Sequence, residues 1–233
     1  MFIYFRACEK QDTISYVSRF NNFHKTIILK KCWLSIQKSI KKEDSLYLIE
    51  DGLSESTLTW LFNNSTVPVQ VVSVPEHSWE YHQHTVTLVD TLKQAAESSP
   101  EELHYIVEDD YLHTPEALDV LRENLLEWNG FAVSYDYPDR YRDPKASNIM
   151  IGKTRHWRTI DSSTMTVLAK GHVWSKVVPL LEKAASTSND KVFEEIYKHI
   201  PCINPLPGVS CHLTDRHLTP LVDWTSLWND IDV

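Results

Sequence analysis

Three consecutive carboxylates, Glu108-Asp109-Asp110, follow the apolar run Leu103-His104-Tyr105-Ile106-Val107 and precede Tyr111-Leu112. Adjacent like charges repel, so a chain that sets them after a strand-like run gains most when a positive group arrives there. A divalent cation carrying a diphosphate is one such group. Mg²⁺ and Mn²⁺ take hard oxygen ligands and keep coordination positions open for substrate phosphates. The same triplet also reads as a solvated acidic turn ahead of a helix, where Asp and Glu favour the positive end of the helix dipole. Residue types alone leave both readings open, and the surrounding elements have to decide between them.

Those elements alternate. Phe2 to Ala7, Leu46 to Ile49, Val67 to Val74 and Leu103 to Val107 read as strands. Between them lie helical stretches: a stripe of Ile28, Cys32, Ile36 and Ile40 flanked by Leu29 and Trp33, a short segment Thr57 to Phe62, and Val86 to Ala96. Thr114-Pro115-Glu116 looks like a helix start, with Thr as N-cap and Pro at the first helical position. Strand and helix in alternation predict a parallel α/β sheet with helices on both faces. Ligands of such sheets bind at the carboxyl ends of strands. Asp51, just after the second strand, and Glu108-Asp109-Asp110, after the fourth, would then share one crevice.

Beyond residue 130 the pattern is less regular. Gly130 to Tyr135 reads as a strand, Asp136 to Pro144 as a polar loop, Ser163 to Leu168 as a strand, and Val173 to Ala185 and Asp190 to His199 as helices. Pro205 to Trp224 reads mostly as loop. Repeats, low-complexity tracts and linkers are absent, so one continuous domain over 1–233 is expected. The change of pattern near residue 130 divides it into halves, 1–130 and 131–233.

Composition narrows the classes. With only 5 glycines in 233 residues, and no GxGxxG or GxxxxGK[ST] run, a Rossmann dehydrogenase or P-loop enzyme is not expected. A net charge of −9 argues against nucleic acid as partner, since a phosphate backbone needs clustered Lys and Arg. The basic stretches Lys30-Lys31 and Lys38–Lys42 read as a solvated helix face. Cys8, Cys32, Cys202 and Cys211 have neither zinc-ribbon nor disulfide-framework spacing. Met1-Phe2-Ile3-Tyr4 opens a strand rather than a signal peptide, and no run approaches 18 apolar residues. A reducing, cytoplasmic setting is the expectation.

Several segments together resemble a known family: Val107-Glu108-Asp109-Asp110-Tyr111-Leu112, Tyr135-Asp136-Tyr137-Pro138-Asp139-Arg140-Tyr141, His156-Trp157-Arg158-Thr159 with Ser162-Ser163-Thr164-Met165-Thr166, and Pro207-Gly208, His212 and Leu218 to Trp224. The chain is similar to the small GT-A fold glycosyltransferases of bacteria and large DNA viruses. That resemblance implies a Rossmann-like, mixed and mostly parallel sheet flanked by helices. It also implies transfer of a sugar from a nucleotide donor, most simply a UDP-sugar, to a hydroxyl of a glycan or glycoprotein.

The resemblance assigns roles as well. Asp110 would ligate Mn²⁺ or Mg²⁺, and His212 would complete the metal site, with His217 as the nearby competitor. Glu108, Asp109, Arg6, Asp51, Thr87 and Arg158 would contact the nucleotide-sugar. His84 stands where the family pattern has Asn, a departure in the donor contacts. Asp190, an N-cap aspartate by its own sequence, would be the general base of an inverting displacement, and Asp161 is the alternative. Asp136 and Trp157 would touch the acceptor, Trp157 by stacking on sugar C–H surfaces, while a core position for Trp157 is the competing reading. Asp139 and Arg142 in the polar loop are further candidates for sugar contacts, and Trp224 and Trp228 read as packing. Two rival functions stand beside this one. A metal-dependent nucleotidyltransferase or phosphatase would also use clustered carboxylates, and a non-catalytic carbohydrate-binding module would suit a chain with 8 Trp and 10 Tyr.

Overall fold

The computed structural model describes residues 1–9, 20–75, 83–143, 145–164, 166–185, 191–214 and 216–233. In chain order the elements are β1 (Phe2–Cys8), a 3₁₀ turn (Phe20–Asn22), α1 (Lys25–Gln37), β2 (Ser45–Asp51), α2 (Glu55–Asn63), β3 (Val69–Ser73), α3 (Gln83–Ser98), β4 (Leu103–Glu108), β5 (Tyr111–His113) and α4 (Ala117–Leu125). They continue with β6 (Phe131–Val133), α5 (Asp139–Arg142), β7 (Ile149–Ile151), β8 (His156–Ile160), β9 (Val167–Lys170), α6 (Gly171–Ala185), α7 (Val192–Tyr197), β10 (Cys202–Leu206), β11 (Ser210–His212) and α8 (Trp224–Asn229).

Among the described residues, nine strands form one sheet in the order β3-β2-β1-β4-β9-β6-β10-β8-β7. β3, β2, β1 and β4 run parallel, and β6 and β10 run parallel to each other. β9 lies antiparallel to both β4 and β6, and β8 antiparallel to both β10 and β7. Following these pairings across the sheet, all strands but β8 and β9 point one way. The sheet is therefore mixed and mostly parallel, as expected.

Strand residues alternate between two apolar layers, as the two-residue strand period requires. Ile3, Phe5, Leu103, Tyr105 and Val107 face the layer that contains α1, α4 and Trp228, whereas Tyr4 and Ile106 face the layer of α3, α6 and α7. Because β4 is covered on both faces, it reads as a continuous apolar run. The charge that follows it at Glu108 therefore marks where the strand leaves the core.

Three expected elements differ. Thr114 does not cap α4: its amide donates to the Val209 carbonyl at 2.9 Å, so its backbone still belongs to the ladder and the helix begins at Ala117. The strand expected over Ser163 to Leu168 starts later, at Val167, because the Thr164 amide donates to the Tyr137 hydroxyl at 2.6 Å. The tail read as loop contains part of β10, β11 and α8. Pro205 argues against an interior strand. It is tolerated here because β6 reaches only Cys202 and Ile203, leaving Pro205 paired on the β8 side alone.

Candidate functional site

The parallel register sets the first part of the site. Arg6 of β1 lies opposite Glu108 of β4, and Cys8 lies opposite Asp51 of β2. Arg6 and Glu108 form an ion pair, each side chain about one-fifth exposed (21% and 19%). Asp109 turns inward. Its Oδ2 accepts the Cys8 amide at 2.8 Å, and its Oδ1 pairs with Lys25, the first residue of α1. Burial pushes the Asp109 carboxyl above the usual range, with Lys25 opposing.

Asp110 is the outward member, its side chain 31% exposed. Its carbonyl accepts the Leu213 amide at 2.8 Å, just beyond the two-stranded ladder in which β5 and β11 pair Tyr111 with His212. That pairing carries a residue 102 positions away to the triplet, and His212 Nε2 lies 3.1 Å from Asp110 Oδ2. The imidazole is fixed on both faces, stacked on Tyr111 at 5.0 Å and on His217 at 5.1 Å. Burial alone would raise the Asp110 carboxyl, but the His212 charge outweighs it and holds the carboxyl well below its ordinary value. The reciprocal holds for His212: burial opposes its protonation, Asp110 outweighs burial, and the imidazole titrates above its ordinary value. His217 is pushed down, by burial first and then by His212. Its Nδ1 is taken up with the Thr214 hydroxyl at 2.6 Å.

The donor set fits a hard divalent ion with a partly open shell. Ligand bonds of about 2.1 Å at right angles put neighbouring ligand atoms about 3.0 Å apart, close to the 3.1 Å between Asp110 Oδ2 and His212 Nε2. Among the described residues no third His, Cys, Asp or Glu joins them in a metal-binding group. The remaining positions would fall to water and phosphate oxygens, the arrangement Mg²⁺ favours.

Asp51 ends β2, buried, with Oδ2 3.9 Å from Nδ1 of His84 near the start of α3. Thr87 is half-buried on α3, three residues beyond His84 and on the same helix face. Arg6, Asp51 and Glu108 thus line the carboxyl ends of three adjacent strands.

The structure corrects three expected contacts. Asp136 has no exposed surface: it pairs with Arg158, accepts the Tyr141 hydroxyl, and accepts Asn204 Nδ2 at 3.0 Å. Burial raises its carboxyl while Tyr141 and Arg158 oppose. With no exposed surface and three internal partners, it presents no accessible oxygen to an acceptor. Trp157 is 0% exposed and belongs to the core, which leaves its ring no free face for a sugar. Arg158 sits on β8, four strand spacings from β4, or about 19 Å at ~4.8 Å each. Its guanidinium is held by Asp136, by Asn204 Oδ1 at 3.2 Å and over the Tyr141 ring at 5.3 Å. Its guanidinium is thus engaged by the protein's own groups. The alternative base Asp161 is a surface residue paired with Lys145 at 3.1 Å. Asp190 lies outside the described residues.

Several residues escaped the sequence reading. Lys25 is one, and a signal existed: a lysine at a helix N-terminus opposes the dipole, so it needs a local anion such as Asp109. The other group is a set of hydroxyls bonded to the residues around the triplet. Thr164 Oγ1 bonds both Tyr111 (2.8 Å) and Tyr137 (3.1 Å), and Thr166 Oγ1 accepts the Glu108 amide at 3.3 Å. All four lie within segments quoted for the resemblance, but nothing local to those segments shows that their hydroxyls meet.

No family model matches the chain, and no curated protein matches it. Several solved structures are similar. A galactosyltransferase, LgtC, in complex with donor and acceptor sugar analogues is 13% identical, with 85% of this chain and 69% of that one covered and a TM-score of 0.44. TarS (residues 1–349) from S. aureus is 10% identical over 73% of this chain and 46% of its own, also with a TM-score of 0.44. A putative glucose-1-phosphate thymidylyltransferase from Bacillus anthracis is 11% identical over 100% and 96%, with the same TM-score of 0.44. At that level of likeness they carry no argument about donor, metal or reaction.

Proposed function

We propose that this chain is a metal-dependent glycosyltransferase of the GT-A type, moving a sugar from a nucleotide donor, a UDP-sugar in the simplest case, to a glycan hydroxyl. The observation that carries the reading is the Asp110–His212 pair, 3.1 Å apart and partly exposed just beyond the carboxyl end of β4. Asp110 and His212 would hold Mn²⁺ or Mg²⁺. When bound, the ion supplies positive charge against the charge that builds on the departing diphosphate.

The chain's own residues supply the rest. Arg6 adds fixed positive charge beside the crevice, held in place by Glu108. Lys25 spends its charge on Asp109, so the middle carboxylate anchors the turn and leaves Asp110 to face outward. Asp51 ends the neighbouring strand, where a nucleoside hydroxyl would find an acceptor oxygen. Thr164 bonds both Tyr111 and Tyr137 around the triplet. Removal of the acceptor proton is assigned to Asp190, with inversion by a single displacement. No helix among the described residues is long and apolar enough to cross a membrane.

Thermal unfolding with UDP and Mn²⁺, alone and together, tests the donor site. A ligand at a hundred times its Kd stabilises the native state by about 2.7 kcal/mol, or roughly 5–10 °C for a chain of this size. The expected result is that shift with both present and little with either alone; no shift with any nucleotide and metal would sink the reading. Product analysis with a panel of nucleotide sugars then separates the chemistries. A transferase releases a nucleoside diphosphate, and pyrophosphate release would identify a nucleotidyltransferase instead.

A further inference from the structure

A second recess opens at the turn between β7 and β8. It has a volume of about 540 Å³, within the roughly 300–1,000 Å³ typical of ligand clefts. Its floor is apolar, Leu206 and Pro207 at the end of β10; its wall is cationic and hydroxylic, with Lys153, Thr154, Arg155 and His156, and no carboxylate lines it. Leu206 pairs with His156. Because β10 points the same way as β4, the recess opens at the same end of the sheet as Glu108-Asp109-Asp110.

Charge distinguishes this region from the rest of the molecule. The whole chain carries −9, yet residues 140–158 contain six Lys or Arg against the single acid Asp143. Most of these cations are internally matched: Arg140 and Lys145 to Asp161, Arg155 to Glu116, Arg158 to Asp136. Arg142 donates to the Arg216 carbonyl. Lys153 is exposed, and no carboxylate pairs with it among the described residues. The turn that presents it is firmly built. Asn124 of α4 accepts the Lys153 amide at 2.7 Å and donates to Thr154 Oγ1 at 3.1 Å. Arg155 donates to the Pro207 carbonyl at 2.8 Å and so ties the turn to the floor. A Cβ on Gly152 would meet Asn124 Oδ1 at 2.5 Å and the Trp157 ring at 2.7 Å, so the turn sits hard against its neighbours.

We propose that this recess is a subsite for an acidic sugar of the acceptor glycan, one bearing a carboxylate or a phosphate, and the inference rests on the transferase reading above. Leu206 and Pro207 offer an apolar surface to the C–H face of a sugar ring. Lys153, with His156 beside it, meets the oxyanion, and charge-assisted hydrogen bonds of this kind are the strong ones. Leu206 and His156 lie three and four strand spacings from β4, about 14–19 Å. The recess therefore takes a sugar some distance along the acceptor from the reacting hydroxyl, which makes it a selectivity element rather than part of the chemistry.

Isothermal titration of the full chain, without donor, tests this directly. The probes are a uronic-acid oligosaccharide, a phosphorylated oligosaccharide and their neutral counterparts. An acidic glycan is expected to bind at least about tenfold more tightly than its neutral counterpart. Lys153→Glu is expected to erase that difference, and Lys153→Ala with His156→Ala to reduce it. Which acidic arm responds identifies carboxylate or phosphate. Unchanged UDP–Mn²⁺ stabilisation in Lys153→Glu verifies that the fold and donor site survive. Equal binding of acidic and neutral glycans, or acidic binding indifferent to Lys153→Glu, overturns the subsite. So does preferential, Lys153-dependent binding of a single-stranded oligonucleotide. Lys153-dependent acidic binding in a chain that releases no nucleoside diphosphate would instead overturn the transferase reading and leave the subsite standing.

Discussion

Two carboxylates follow strand ends on the same edge of the sheet, each facing a cation from a distant segment, and they serve opposite ends. Asp110, after β4, meets His212 at 3.1 Å and stays about one-third exposed. Asp136, after β6, is 0% exposed and has three partners, Arg158, Tyr141 and Asn204. One carboxylate has oxygens that a ligand can reach, and the other has none exposed. The difference lies in what surrounds them. Asp110 sits where the small β5–β11 ladder splays away from the main sheet, and Asp136 sits under Tyr141 and Arg158. Residue type and position at a strand end are therefore insufficient to mark a binding group; an accessible oxygen is what marks it.

The contrast can be broken by substitution. Asp136→Ala leaves the Arg158 guanidinium without its carboxylate in a buried setting, and removing one partner of a buried pair costs about 3–5 kcal/mol. Urea unfolding should show that loss, with any surviving folded protein still stabilised by UDP and Mn²⁺. A stability change near zero would mean that Asp136 is not the structural member of the comparison.

Asp110→Ala should do the reverse. Folding stability is expected to stay within about 1 kcal/mol, since the partly exposed pair is screened by solvent. Transfer should fall by roughly 10²–10³-fold, the usual cost of losing one group that stabilises transition-state charge, and the Mn²⁺-dependent thermal shift should vanish. Retained turnover with metal still bound would end the case for Asp110 as ligand.

A second contrast lies within the β5–β11 ladder itself. His113 and His212 stand on its two strands and titrate in opposite directions. Burial pulls His113 down to about 4, while its Nδ1 donates to the Tyr111 carbonyl and its Nε2 accepts the Tyr105 hydroxyl. A depressed histidine means the unfolded chain takes up the proton first. This contribution is complete above pH ~6.5 and is lost as pH falls toward 4, about 3 kcal/mol in all. His212 is raised, so in the metal-free protein its contribution is present below pH ~6.5 and lost as pH rises through its folded value. Urea midpoints from pH 7 to 4 should fall in the wild type and fall less in His113→Gln. Equal acid sensitivity in both would place the acid-labile group elsewhere.

Much of the frame was legible beforehand because it rests on local periodicity. The apolar runs at β1, β2 and β4, the stripe Ile28-Cys32-Ile36 of α1 and the triplet after β4 are short-range patterns with one low-energy reading. Trp157 and Arg158 of β8 were read as binding residues because His156-Trp157-Arg158 mixes charge and aromatic, whereas Trp157 and Ile160 are buried on opposite faces of the strand. The tail was read as loop because Pro205 hides β10, and because β11 is three residues long and is stabilised by its partner β5 rather than by its own sequence. Lys25 was legible in principle, as a cation at the wrong end of a helix dipole.

By itself, the sequence determined the α/β layering, the strand that ends at Glu108 and the presence there of three carboxylates that need a positive partner. Local covalent geometry and hydrophobic period suffice for that. Tertiary structure alone decided which carboxylate meets which cation: Glu108 with Arg6, Asp109 with Lys25, Asp110 with His212. It also decided that Asp136, Arg158 and Trp157 are interior residues. Those outcomes depend on strand order and on solvent access, which are set by contacts up to 102 residues apart, and no short-range pattern encodes them.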